Sequence, residues 1–333
     1  MKKVILFLVI AALIAVPLLV GCGAEGRGRF TAIMGSSSLG GSWYPMASRM
    51  AGVAMMHGDV IVTVQASGGG MENIRLMRQG QYHMGLSEPN VAAYAAMGTG
   101  PFVGNVQDNI RFLFNMFPLP YTIIVHRDGP IQRVEDFNMH TNGGRRFGFS
   151  PGSPGSGDEF AWMDLFAVYG ITRDMMNWRP LSHNERVMAF KDRILDSVGF
   201  QTASPSGAII ELSAQNPIRI LPIYGEMREK AIRELPWLGP FTLPGGLYNG
   251  QPTPVETVFH GGFVLANADV PEDFIYAYVR AIWYYGLEEV QNVFPAARDM
   301  TLATALAGNS FETGVIPFHP GAERFWREMG LIQ

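Results

Sequence analysis

The stretch Gly35-Ser36-Ser37-Ser38-Leu39-Gly40-Gly41-Ser42-Trp43-Tyr44-Pro45 lies between a short β-type run, Phe30 to Met34, and a helical run, Met46 to Met56. Three hydroxyls and two glycines let the backbone turn tightly and approach a ligand, because glycine carries no Cβ to clash. Ser42 is placed to cap the helix, and Pro45 suits its first turn, where a missing N–H costs nothing. The free N–H groups and the positive end of the helix dipole then face the space above the strand. A carboxylate or phosphate is the natural guest there. One such loop carries little weight alone; several would decide the fold.

The pattern recurs. Asp59 to Gln65, with Val60, Val62 and Val64 on one face, reads as a strand ending in Ala66-Ser67-Gly68-Gly69-Gly70 and feeding a helix from Met71 to Gly80. Tyr82 to Leu86 is a third short strand, followed by Ser87-Glu88-Pro89-Asn90 and a helix over Val91 to Met97. Arg145 to Phe149 leads into Ser150-Pro151-Gly152-Ser153-Pro154-Gly155-Ser156-Gly157 and a helix over Asp158 to Tyr169. Asp196 to Phe200 leads into Gln201-Thr202-Ala203-Ser204-Pro205-Ser206-Gly207 and a helix over Ala208 to Ala214. Alternating β and α units predict an α/β fold with parallel, doubly wound sheets, the loops gathered at the strands' C-terminal edge.

Elsewhere, Ile110 to Met116, Tyr121 to His126 and Ile218 to Ile223 read as strands, and Asn184 to Phe190 as a helix. Val255 to Ala266 reads as one long β run. Pro271 starts an amphipathic helix through Tyr285, with Phe274, Tyr278 and Ile282 at helical spacing. Pro295 to Ala307 and the segment from Phe318 complete the helices.

The 333 residues suffice for roughly two domains. A hydrophobic content of 47%, with 11% aromatic, supplies a sizeable core. Residues 1–21 read as a signal segment: Lys2 and Lys3, an apolar run from Val4 to Leu19, then small residues. Without Lys2 and Lys3 the 25 basic residues fall to 23 against 29 acidic, so no basic stripe for nucleic acid is expected. Cys22, the only cysteine, follows Leu19-Val20-Gly21 and resembles a bacterial lipobox. That implies acylation of Cys22 and a body held at a membrane surface, with Gly-rich residues 22–29 as a tether. The alternative is a coincidental cysteine near an ordinary cleavage site.

Taken together these runs resemble the TAXI family of solute-binding proteins, the extracytoplasmic receptors of TRAP-type secondary transporters. The resemblance spans Phe30 to Gly330 and rests on Gly40-Gly41-Ser42-Trp43-Tyr44-Pro45 and Ser67-Gly68-Gly69-Gly70-Met71-Glu72-Asn73-Ile74-Arg75-Leu76. It rests also on Gly152-Ser153-Pro154-Gly155-Ser156-Gly157, Ala189-Phe190-Lys191-Asp192 and Ile316-Pro317-Phe318-His319-Pro320-Gly321-Ala322. It implies a two-lobe, periplasmic-binding-protein-like fold of type II, closing over one small organic acid or amino acid, glutamate-like or dicarboxylate. A TRAP membrane permease would be the partner of a monomeric receptor. We expect lobe I over 30–118 and 262–333, and lobe II over 119–261. The chain departs from the family at Leu39, where many members carry a hydroxyl, and at Glu88, where Gln, Thr or Asn is usual. A carboxylate at 88 would repel an anionic solute unless that solute also carries an ammonium, or Glu88 is protonated or turned away.

Ser37, Ser38, Ser67, Ser153, Ser156 and Thr202 are the expected hydrogen-bond donors to the solute. Trp43 and Tyr44 form an aromatic wall or pack in the core. Gly40, Gly68, Asn73, Glu88, Gly152 and Ala203 complete the expected ligand-binding set, with Asn73 alternatively capping or packing. Arg75 and Arg78 share a helix with Glu72 and read as a surface pair at helical spacing. The seven histidines show no metal-ligand spacing, and no nucleophile elbow or nucleotide loop is present, so neither cofactor, metal nor enzymatic activity is expected. The rivals are a receptor for an ATP-driven importer or sensor kinase, and an enzyme on the same fold.

Overall fold

The computed structural model describes residues 30–308 and 316–333; the signal segment, the tether and Cys22 lie outside the described residues. The first sheet is built from β1 (Thr31–Gly35), α1 (Trp43–Gly58), β2 (Ile61–Gln65), α2 (Gly70–Arg78), β3 (Met84–Ser87), α3 (Pro89–Met97) and β4 (Ile110–Asn115). The chain then crosses to a second sheet. There it forms β5 (Leu119–His126), β6 (Gly148–Ser150), α4 (Gly157–Val168), β7 (Asn177–Trp178), α5 (His183–Lys191), β8 (Ser197–Gln201) and α6 (Gly207–Gln215). β9 (Ile218–Leu221), α7 (Gly225–Glu234), β10 (Gly239–Leu243) and β11 (Val255–His260) follow. β12 (Phe263–Asn267) returns to the first sheet, which α8 (Glu272–Arg280), α9 (Leu287–Gln291) and α10 (Pro320–Glu328) then cover.

The order is β2-β1-β3-β12-β4 in the first sheet and β10-β11-β5-β8-β6-β7 in the second, with β9 also on β5. β1, β2 and β3 are parallel, as the repeating βα units predict. The sheets are nonetheless mixed, because β12 runs antiparallel between β3 and β4 and β5 runs antiparallel to its neighbours. β5 is buried at all eight positions. Its alternate side chains serve different cores: Tyr121, Ile123 and Val125 pack with Trp162 and Phe166, while Ile124 packs with Phe190, Val198 and Phe200. A strand covered on both faces reads as a continuous apolar run rather than an alternating one.

Four expectations are corrected. The run from Val255 to Ala266 is not one strand: it breaks at Gly261-Gly262 into β11 and β12, which belong to different sheets. Met116 N–H donates to the Gly262 carbonyl at 2.8 Å, so the two inter-sheet crossings run side by side. A Cβ at Gly262 would lie 2.7 Å from Met116 Cε, and one at Gly261 would overlap Asn115. The Asn115 and Met116 side chains fill the space a Cβ would need at these two positions.

Pro295 to Ala307 is not a helix beyond the single 3-10 turn Pro295–Asp299. The Thr304 hydroxyl donates to Asp299 O at 2.9 Å and accepts from Thr301 N–H at 3.0 Å, giving the backbone partners that compete with a helical ladder. The helix from Pro271 ends as α8 at Arg280 and continues as one π turn, Ala281–Tyr285. At the first loop, α1 begins at Trp43 rather than Met46, and Ser42, already helical in its backbone, makes no side-chain cap.

β8 carries one position with no room to spare. A Cβ at Gly199 would lie 2.5 Å from Trp162 Cε2 and 2.7 Å from Phe149 Cζ, two rings locked in the same core. Gly199→Ala is expected to destabilise the protein by about 1–3 kcal/mol, the usual cost of overpacking, read as a lower urea midpoint at unchanged slope.

Candidate functional site

All four glycine-hydroxyl loops border one cavity of about 100 Å³ between the two sheets. The structure places Ser37, Ser38, Trp43, Ser67, Gly68, Glu88, Ser153, Ser156 and Thr202 on its wall. Gly41, Ser42 and Gly69 belong to the same loops. The doubly wound topology explains the convergence, since each loop follows the C-terminal end of a strand and opens a helix.

Not every loop group is free. Ser156 caps α4, accepting from Glu159 N–H at 3.3 Å, and Ser67 Oγ accepts from Gly69 N–H at 3.2 Å while donating to Ser36 O at 3.2 Å. Glu72 accepts from Gly68 N–H at 2.6 Å. Glu72 therefore serves the start of its own helix, rather than forming the expected surface pair with Arg75 or Arg78.

Five expected site residues lie off the cavity wall. Asn73 is fully buried, and its amide donates to Ser36 O at 2.7 Å and Leu86 O at 2.8 Å, tying the ends of β1 and β3 together behind the loops. Gly152 supplies a backbone at φ 141° and accepts from Leu181 N–H at 2.8 Å. Tyr44 is half-buried in the first turn of α1, Gly40 faces Asn184 of α5, and Ala203 is buried beyond Thr202.

The cavity also takes Gln201 from the fourth loop, and Leu119, Asp158, His183 and Arg186, which the loop pattern does not reveal. Arg186 projects from α5 and is 4% exposed. Its guanidinium donates to Gly199 O at 2.9 Å and Pro151 O at 3.2 Å, and lies 4.3 Å over the Phe200 ring. Asp158 Oδ2 stands 3.7 Å from it, with 26% of the Asp158 side chain exposed. His183 Nδ1 is 3.4 Å from Arg186 Nη2. Since Arg186 only donates, this geometry makes Nδ1 the acceptor and the ring neutral. Burial, and then the Arg186 charge, push the His183 pKa down to about 4.

Glu88 opens α3 and is 4% exposed. Its carboxyl is wedged between Gly70, the first residue of α2, and Gly157, the first residue of α4; a Cβ at either glycine would overlap it. Burial, and then the Asp158 charge, push the Glu88 pKa up to about 8. Burial also raises Asp158, against the pull of Arg186. Four buried polar atoms on this wall have no hydrogen-bond partner: Glu88 Oε2, Gln201 Oε1, Gln201 Nε2 and Arg186 Nε.

Beside the cavity, α3 seals onto α4. Asn90 Nδ2 and Tyr94 Oη donate to Asp164 at 3.2 and 2.9 Å, and Tyr94 meets Trp237 edge-on at 5.7 Å. Among the described residues no helix is long and apolar enough to cross a membrane.

The same architecture recurs in solved binding proteins. The periplasmic binding protein BugD superposes with a TM-score of 0.57 at 12% identity, covering 91% of this chain and 98% of that one. MatC from Rhodopseudomonas palustris with bound malate gives 0.53 at 10% identity, over 90% and 97%. A binding protein component of an ABC phosphonate transporter from Pseudomonas aeruginosa gives 0.53 at 12% identity, over 82% and 80%. At these identities the likeness is one of fold: two α/β lobes with a cleft between them. Sequence carries it further, for residues 34–330 match one family from the first loop to the terminal helix, and the chain belongs to the NMT1-like family.

Proposed function

We propose that the protein is an extracytoplasmic solute receptor that binds a small organic acid or amino acid between its lobes. The observation that carries this is the meeting of four helix-opening loops, two from each sheet, with the buried Arg186 around one cavity. Loop amides, helix dipoles and a guanidinium together make a carboxylate site. BugD, MatC and the phosphonate-binding protein are binding proteins of the same fold, which supports a receptor rather than an enzyme. We take lobe I as 30–118 with 262–333 and lobe II as 119–261, hinged where the chain crosses at Met116 and Gly262.

The TAXI resemblance supports delivery to a TRAP-type permease, and the lipobox-like Leu19-Val20-Gly21-Cys22 supports a lipid anchor at Cys22. The phosphonate-binding relative in fold keeps an ATP-driven importer as the second reading. The cavity's about 100 Å³ is smaller than the roughly 150 Å³ apolar cavity that admits benzene. A glutamate-sized solute therefore requires the lobes to part further than they do here.

A ligand bound only by the folded form raises the melting temperature by mass action, so a thermal-shift screen of organic acids and amino acids tests the reading. The hydroxyls of Ser153 and Thr202, on lobe II, are spent on no partner among the described residues. The double variant Ser153→Ala, Thr202→Ala is expected to weaken binding at least tenfold and to leave the empty protein's melting temperature within about 2 °C, because surface truncations of this kind cost little stability. Unchanged affinity in that variant would remove these loops from the site.

A further inference from the structure

Two of the helix N-termini that ought to attract an anionic solute, those of α2 and α4, are already occupied. Glu88 lies against the first residue of α2 in lobe I and the first residue of α4 in lobe II, and Glu72 takes Gly68 N–H. Asp158, the residue after Gly157, faces Arg186. With His183 neutral, the ionisable groups lining the cavity are two carboxyls and one guanidinium. With Glu88 protonated, a dicarboxylate entering that cleft meets one carboxylate and one guanidinium, a wall of no net charge with a single cation for two anionic groups. A solute with an amino group meets two carboxyls, one from each lobe, an unpartnered Glu88 oxygen among them, with the unpartnered Gln201 amide on the wall of the same cavity.

We infer that Glu88 and Asp158 form a subsite for the solute's protonated amino group, which bridges the two lobes and makes the receptor select amino acids over the matching hydroxy and dicarboxylic acids. This rests on the receptor reading above and names the chemistry of the same cleft. The ammonium donates to Glu88 and Asp158. The solute's carboxylate accepts from Arg186 Nε and Gln201 Nε2, so three of the four orphaned atoms gain a partner of the right sense. The asymmetry is large in principle, since a site built to hydrogen-bond one group rejects the analogue lacking it by leaving buried polar atoms unpaired.

A second consequence separates this subsite from a purely structural Glu88. In the empty cleft burial holds a proton on Glu88 at neutral pH. The groups facing it are Asp158 of α4 and Tyr121 of β5, then Asp164 of α4 through Tyr121, and Arg186 and His183 of α5 through Asp158. An arriving ammonium is a cation already, so the Glu88 proton leaves to solvent as the ion pair forms. Binding therefore releases up to one proton per solute at pH 7.

The test is calorimetric titration of the full chain with the L-amino acids and their 2-hydroxy counterparts, alanine with lactate and glutamate with 2-hydroxyglutarate among them. It is run in two buffers of different ionisation enthalpy. We expect an amino acid to bind at least tenfold tighter than its hydroxy partner, with proton release. Glu88→Gln is expected to weaken the amino acid at least tenfold, abolish the proton release and leave the hydroxy acid unchanged; Asp158→Asn gives the same loss of discrimination should the first variant fold poorly. Hydroxy or dicarboxylic acids binding as tightly as amino acids would overturn the subsite and leave the receptor standing. So would a Glu88→Gln protein that weakens both classes equally. No binding by any member of the panel, dicarboxylates included, would overturn the receptor reading and the subsite with it.

Discussion

Replacing Arg186 by alanine is expected to abolish solute binding and to remove about 3–5 kcal/mol of folding stability, the cost of stranding one member of a buried charge pair. The guanidinium is 4% exposed and does three things at once. It donates to the Gly199 and Pro151 carbonyls, holding the middle of β8 and the loop after β6 in position. It stands 3.7 Å from Asp158 on the first turn of α4, and it covers the Phe200 ring at 4.3 Å. Alanine leaves two carbonyls without a donor and Asp158 without its cation.

Lysine is the sharper probe. It keeps the charge but has a single donor centre in place of the planar fork, so it cannot serve both carbonyls and still present an N–H to the cavity. Arg186→Lys is expected to recover most of the stability and little of the affinity. The readouts are the urea midpoint for stability and calorimetric titration for binding. An alanine variant whose affinity stays within threefold of the parent would place the solute elsewhere.

Arg186 also marks where the sequence stops being legible. The loops could be read because a strand, a hydroxyl-and-glycine stretch and a helix follow one another locally, and topology then gathers such loops at one edge. Arg186 sits in a helix that the sequence predicts, but its partners are carbonyls 13 and 35 residues away. No local signal distinguishes it from Arg75 or Arg78, which resemble it in sequence and lie exposed on α2. Asn73 shows the converse: a polar residue one turn into a helix beside the site, aimed backward at two carbonyls of the sheet.

The glycine pair at 261 and 262 was visible within its apolar run. Only the pairing of β11 with β5 and β12 with β4 reveals that the run changes sheets there. The threonines at 301 and 304 undo a helix through their own hydroxyls, a contest that propensity alone does not resolve. Glu88, by contrast, stood out as a departure from the family pattern. What the sequence lacked was Asp158 facing it from the other lobe.

That facing pair sets a pH dependence with a definite sign. Burial, and then the Asp158 charge, raise Glu88 in the closed protein to about 8 from an ordinary 4.5, so the folded state binds more protons than the unfolded chain between those values. The stability associated with Glu88 is therefore fully present below about pH 4.5 and is lost as pH rises through 8. Asp158 acts in the same sense over a lower range. His183 and His260, both lowered to about 4 with burial the main cause, act in the opposite sense between 4 and 6.5, where the unfolded chain holds the extra protons. Above pH 6.5 those histidines are neutral in the folded protein while the unfolded chain sheds the last of their protons, and Glu88 is the buried carboxyl still changing charge. One proton corresponds to about 1.4 kcal/mol per pH unit. The histidines contribute alike to both proteins, so the empty protein is expected to lose about 1.6 kcal/mol relative to Glu88→Gln between pH 6.5 and 8 in urea unfolding. At pH 8 the variant is then the more stable protein, although it binds its solute less well. An equal slope in both proteins would mean that Glu88 is solvated and charged throughout, and that its wedge between Gly70 and Gly157 is open in solution.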